Sequence, residues 1–151
     1  MRLEGKVAIV AGGGQGIGEG IVSCLAAEGA DVAVFDINAK TAAQMAEKVN
    51  KMGRKALAVT ADLTNEKQAY KAVKDTVDFF GKLDILINNV GGVSVEMGQA
   101  ISEYFLSNQE LATLPQYMRL SSGVWDKFYE LNLKTHVIMS QAVTPYFTKQ
   151  R

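Results

Sequence analysis

At 151 residues the chain fits one domain, and a complete domain of this size would bury roughly 70% of the surface its unfolded form exposes. Sixteen basic residues cancel sixteen acidic ones, so no long-range field draws the chain toward nucleic acid or an anionic membrane. Cys24 is the single cysteine, which excludes an internal disulfide, and no apolar stretch approaches membrane-spanning length.

The amino terminus, Arg2-Leu3-Glu4-Gly5-Lys6, has no signal-type apolar region, and a cytoplasmic protein is expected. The first strand reads as Val7 to Ala11, an apolar run that leads directly into Gly12-Gly13-Gly14-Gln15-Gly16-Ile17-Gly18. A strand, a glycine turn and a helix start form a phosphate cradle. Glycines let the backbone approach a ligand closely, and the helix end presents free N–H groups and its positive dipole. The pattern G-x-G-x-x-G fails at every start, whereas G-x-x-x-G-x-G fits Gly12, Gly16 and Gly18. No Gly-Lys-Ser/Thr follows, which excludes a P-loop. A plain tight turn is the alternative reading.

The helix after the turn shows an apolar face at Ile17, Ile21 and Leu25, with Cys24 expected to be a buried, inert thiol. A second strand runs from Val32 to Phe35 and ends at Asp36-Ile37. Asp36 lies twenty-four residues after Gly12, close to the roughly twenty at which a carboxylate reaches the hydroxyls of an adenosine ribose. A 2′-phosphate would meet that carboxylate as a like charge, at a cost on the order of 1–4 kcal/mol in a wet site. The placement therefore implies NAD. The alternative is that Asp36 caps the next helix, a job for which Asn38 competes.

The second helix carries Ala42, Met45, Ala46 and Val49, a third strand reads as Ala56 to Thr60, and Asp62-Leu63 follows at the carboxyl edge. There Asp62 can accept from an adenine amino group while Leu63 packs the ring; Asp62 as an ordinary turn residue is the other reading. The third helix presents Ala69, Val73, Val77 and Phe80, and the fourth strand, Ile85 to Asn88, runs into Asn89-Val90-Gly91-Gly92. Asn38 and Asn65 are placed as caps, and Gly29, Gly53 and Gly81 as stops.

From Val93 to Ser121 the rhythm breaks for far longer than the two to six residues such connections commonly take. That segment carries Tyr104, Phe105, Leu106, Leu111, Leu114, Tyr117 and Met118. It can cap a pocket, pack on a partner chain or pack on its own domain. From Ser122 a long fourth helix is expected to reach toward Pro145. The fold class is α/β, a Rossmann-type doubly wound parallel sheet of which these are the first four strands with flanking helices. It forms one partial domain over 1–151 with an insertion at 93–121.

In this order the glycine turn, Asp36, Asp62-Leu63, Asn88-Asn89-Val90-Gly91 and Asn132-Leu133-Lys134 resemble the short-chain dehydrogenase/reductase family. The resemblance implies an NAD-dependent oxidoreductase that moves a hydride between nicotinamide and a secondary alcohol or ketone. It implies that Gly12, Gly14, Gln15, Gly16, Ile17 and Gly18 line the pyrophosphate and nicotinamide side. Asp36 and Ile37 would hold the adenosine ribose, Asp62 and Leu63 the adenine, and Asn89, Val90 and Gly91 the adjoining ribose and strand ends. Asn132 matches the family's catalytic Asn, whose backbone holds a water in a proton relay. A parent homo-oligomer, dimer or tetramer, is implied, and no metal.

The chain departs from the family at Ala11, where Thr is usual, and at Val90, where Ala is usual and Val adds bulk beside the cofactor. The family's acid/base Ser and Tyr-x-x-x-Lys belong after the fourth helix. Tyr70 and Lys74 match the spacing but precede Asn132. The 151 residues alone are therefore expected to be inactive, with Ile85-Leu86-Ile87 bordering an unpaired sheet edge. A non-catalytic dinucleotide-binding module or a truncated product is the alternative. His136, the only histidine, is expected to be structural.

Overall fold

The computed structural model describes residues 1–93, 98–99 and 121–150. They fall into two compact units, one spanning Met1–Val90 and Thr135–Arg151, the other Gly91–Lys134. The apolar residues singled out between Tyr104 and Met118 lie outside the described residues.

The first unit is built on four parallel strands, β1 (Val7–Ala11), β2 (Asp31–Asp36), β3 (Ala56–Thr60) and β4 (Ile85–Asn88), in the order β3-β2-β1-β4. Between them run α1 (Gly16–Ala27), α2 (Ala39–Lys51) and α3 (Glu66–Phe80). The register pairs Ala11 with both Phe35 and Asn88, and Asp36 with Thr60, so the carboxyl ends of all four strands finish at one edge. In the central strands β1 and β2 continuous apolar runs form strands because both faces are covered there. On one face Val10, Val32 and Val34 pack with Val22, Ala26, Met45 and Val49. On the other Ile9, Ala33 and Phe35 pack with Val73 and with Ile138 and Met139 of α5 (Thr135–Lys149). Phe35 and Ile9 are fully buried, and each contributes about 1.5–3 kcal/mol by leaving water.

Helix ends follow local chemistry. The Asn38 side chain accepts from the backbone N–H groups of Lys40 and Thr41, and Asn65 accepts from that of Gln68. Gly29, Gly53 and Gly81 close the first three helices at φ of +98°, +78° and +79°. The expected face of α2 is the buried one, and on α3 Ala69 and Val73 are buried with Val77 and Phe80 partly so, but the face of α1 is turned by one position. Gly18, Val22 and Ala26 face the sheet, Ile21 and Leu25 are half-buried, and Ile17 is 79% exposed. The smaller residues let α1 settle against β1 and β2. The same rotation corrects the expectation for Cys24, which is exposed on the outer side of α1.

The second unit contains α4 (Ser122–Tyr129), followed by a π-helical turn over Glu130–Lys134. The expected fourth helix is therefore interrupted at Asn132. Its later part, α5, continues through Pro145 to Lys149. β4 ends the sheet, and each of its residues is half-exposed, as expected of an apolar strand paired on one side only. No helix among the described residues is long and apolar enough to cross a membrane.

Candidate functional site

The glycine turn lies at the carboxyl edge of the sheet. Gly12 and Gly13 both donate their N–H groups to the Phe35 carbonyl, at 2.8 and 3.0 Å, which ties the turn to β2. Gly12 has φ +75°, and a Cβ there would lie 3.2 Å from both the Asn89 carbonyl oxygen and the Val90 nitrogen. A Cβ on Gly18 would overlap the Gly12 carbonyl oxygen and reach 2.9 Å from Asn89 Nδ2. These glycines exist so that the chain can approach itself. Gly16 differs: at φ +59°, a Cβ there would meet nothing within 4 Å, so it faces open space. Gln15 precedes α1 in extended conformation and makes no side-chain cap, leaving the N–H groups of the first turn for another acceptor.

Asp36 is buried at the end of β2, and both of its oxygens are used. Oδ2 accepts from Gly14 N and Oδ1 from Asn38 N, each at 2.9 Å. Two charge-assisted bonds lock the carboxylate, with lone pairs left over. Asp36 therefore joins the glycine turn to the start of α2, while the capping itself falls to Asn38. Thr41 was not apparent as part of this corner. Its Oγ1 would lie 2.5 Å from a Cβ on Gly14, and Asp36 Oδ2 would lie 2.6 Å from it. Only a residue without a side chain fits between them. Ile37 follows Asp36 and is 72% exposed beside this corner.

Asp62 follows β3, where Ala61 N donates to the Asp36 carbonyl at 3.1 Å. Its Oδ1 accepts from Thr64 N at 2.9 Å and Thr64 Oγ1 at 2.7 Å, the turn geometry that was one of its two readings. Leu63 is buried in the core with Ala69 and Val73.

Beyond β4, Asn89 Nδ2 donates to the Gly12 carbonyl at 3.0 Å, and Val90 packs its side chain against the core beneath the sheet. His136 Nε2 lies 2.7 Å from the Val90 carbonyl oxygen, and Ser140 Oγ accepts from Asn88 Nδ2 at 3.4 Å. Neither contact was legible as sequence, because both depend on where α5 lies.

The first unit therefore brings Gly12 to Gly18, Asp36, Ile37, Asp62, Leu63, Asn89 and Val90 to one sheet edge. Gly91 and Asn132 belong to the second unit. There Asn132 Oδ1 accepts from Gly92 N at 2.9 Å, while Nδ2 donates to the Gly92 and Phe128 carbonyls at 2.8 and 2.9 Å. A Cβ on Gly91 would lie 2.9 Å from Asn132 Oδ1. The Asn132 side chain is fully employed as a tie. Tyr70 and Lys74 lie on α3, where the Lys74 ammonium is paired with Asp78.

Residues 6–151 match the short chain dehydrogenase family. The chain is 32% identical over 149 residues to 7alpha-hydroxysteroid dehydrogenase of Escherichia coli (strain K12), covering 99% of this chain and 51% of that protein. It is similar to the structure of a 7 alpha-hydroxysteroid dehydrogenase complexed with NADH and 7-oxo glycochenodeoxycholic acid, at a TM-score of 0.79 and 31% identity. That match covers 99% of this chain and 51% of the other. A short chain dehydrogenase from Burkholderia cenocepacia J2315 in complex with NADP gives a TM-score of 0.75 at 31% identity, over 97% of this chain and 52% of that one. The chain spans about half the length of the curated relatives it matches.

Proposed function

Because the chain belongs to the short chain dehydrogenase family, we propose that it is the cofactor-binding portion of an NAD(H)-dependent oxidoreductase acting on a secondary alcohol or ketone. The single observation that carries this reading is the corner where Gly14 N donates to Asp36 Oδ2 at 2.9 Å, between the glycine turn and β2. It holds a fixed negative charge beside the place where Gly16 leaves the turn open.

A dinucleotide fits this cradle. The uncapped N–H groups at the start of α1 donate to its pyrophosphate, with the helix dipole favouring the charge. Asp36, already oriented by two backbone N–H groups, offers its remaining lone pairs to the adenosine ribose hydroxyls. Asp62 and the Leu63 backbone border the adenine, and Ile17 and Ile37, both exposed, shield the ligand from water. Asn89 and Val90 border the adjoining ribose, with Gly91 continuing the strand end. When bound, the nicotinamide gives or takes the hydride. For Asn132, whose side chain is committed to Gly92 within the second unit, the family match supports the water-holding role in a proton relay.

One structure similar to this chain holds NADH and another NADP. The buried carboxylate of Asp36 favours NADH here, since a 2′-phosphate would face a like charge that no cation in the glycine turn offsets. Parallel fluorescence titrations with NADH and NADPH test this. At least tenfold tighter binding of NADH is expected. Equal or tighter binding of NADPH would contradict the assignment, and failure to bind either would contradict the site.

A further inference from the structure

The backbone leaving β4 passes close to the glycine turn, held by side chains as well as by strand pairing. Asn89 N still donates to the Ala11 carbonyl at 3.0 Å, the last backbone bond between these segments. One residue later, the Val90 carbonyl oxygen lies 2.7 Å from His136 Nε2. A carbonyl oxygen can only accept, so His136 donates, and the neutral ring is held as the Nε2–H tautomer.

Both ends of this contact are anchored. α5 is fixed to the sheet by Ile138, Met139 and Ala142, all buried. A second link runs from the same helix to the same strand end, with Ser140 Oγ donating to the His136 carbonyl at 2.7 Å and accepting from Asn88 Nδ2 at 3.4 Å. On the other side, the 89–90 peptide lies so close to Gly12 that a Cβ there would be 3.2 Å from Asn89 O and from Val90 N. Close packing transmits a displacement of that peptide to the turn.

We propose that His136 is a positioning residue for the dinucleotide site, a strut that fixes the Asn89–Val90 peptide and through it the Gly12 turn. The inference rests on the cofactor reading above. It assigns the ring no part in proton transfer.

The test compares wild type with His136→Leu, which removes the donor, and His136→Gln, whose side-chain amide can replace it. NADH affinity is read by fluorescence, and the imidazole tautomer by long-range ¹H–¹⁵N NMR of the neutral ring. The strut predicts an Nε2–H tautomer, NADH affinity about five- to tenfold weaker in His136→Leu, and affinity within about twofold of wild type in His136→Gln. Backbone amide resonances of Gly12 and Asn89 should move in His136→Leu and return in His136→Gln.

If wild type binds no NADH, the cofactor reading fails by itself, and the Gly12 and Asn89 resonances still judge the strut. If His136→Leu does not fold, the tautomer and the His136→Gln resonances decide. An Nδ1–H tautomer, or a folded His136→Leu with wild-type Gly12 and Asn89 resonances, would overturn the proposal.

Discussion

Asn89 reaches across from the end of β4 to donate its Nδ2 to the Gly12 carbonyl at 3.0 Å, joining two residues 77 positions apart. The shape of the glycine turn is thus set by a strand distant in sequence. Asn89→Asp replaces the donor with an acceptor that faces the carbonyl oxygen. A loss of about 1–3 kcal/mol in urea denaturation is expected, with weaker NADH binding.

Gly18 and Gly20 lie on the same helix and predict opposite outcomes. A Cβ at position 18 would overlap the Gly12 carbonyl oxygen, whereas one at position 20 would meet nothing within 4 Å. Gly18→Ala should destabilise by at least about 1–3 kcal/mol, the range for forced overpacking. Gly20→Ala should stabilise by roughly 0.5–1 kcal/mol, because alanine gives up less backbone freedom in a helix. Thermal and urea melts of the two variants check both signs.

Asp36→Asn keeps the shape of the corner and removes its charge. One of the two backbone donors, Gly14 N or Asn38 N, would then face an amide NH₂ instead of an oxygen. A stability loss of about 1–3 kcal/mol is expected. NADH affinity should fall more than the affinity for NADPH, which gains from removal of the like charge. Parallel titrations of wild type and variant measure the ratio.

Asp84 fastens the start of β4 to β1. Burial by itself would raise its pKa, but the Lys82 ammonium, the Val7 N–H and the Lys6 ammonium outweigh it and hold the carboxyl below its ordinary value. A depressed acid contributes stability above its unfolded pKa of about 3.9, and that contribution disappears as pH falls through the lower folded value. Asp84→Asn should therefore destabilise at pH 7. It should also flatten the loss of stability seen in wild type below about pH 4, measured by urea denaturation across that range.

Much of the fold was legible because the strands are short apolar runs, the central pair β1 and β2 being covered on both faces. The runs Val7–Ala11, Ala56–Thr60 and Ile85–Asn88 form the strands read from sequence, and the apolar positions of α2 and α3 fall at the buried spacing. The face of α1 departs from the apolar spacing of Ile17, Ile21 and Leu25. Gly18 has to touch Gly12, so the helix turns its small residues inward and leaves Ile17 and Cys24 outside. The π-helical turn at Glu130–Lys134 has no local signature, since leucines, Glu and Lys are ordinary helix formers. Thr41 beside Gly14 and His136 against Val90 are tertiary meetings that no spacing announces. Asp36 was legible because its place at a strand end, after a glycine turn, is itself set by the chain order.

A ¹H–¹⁵N NMR titration of the protein with NAD⁺, following backbone amides one by one, tests most directly whether the dinucleotide sits on the glycine turn. Shifts concentrated at Gly14 to Gly18, Asp36 to Asn38, Asp62, Leu63, Asn89 and Val90 are expected, with their loss in Asp36→Ala. Absence of shifts at the glycine turn, or shifts centred on the opposite edge around Lys6, Asp31 and Asp84, would contradict it.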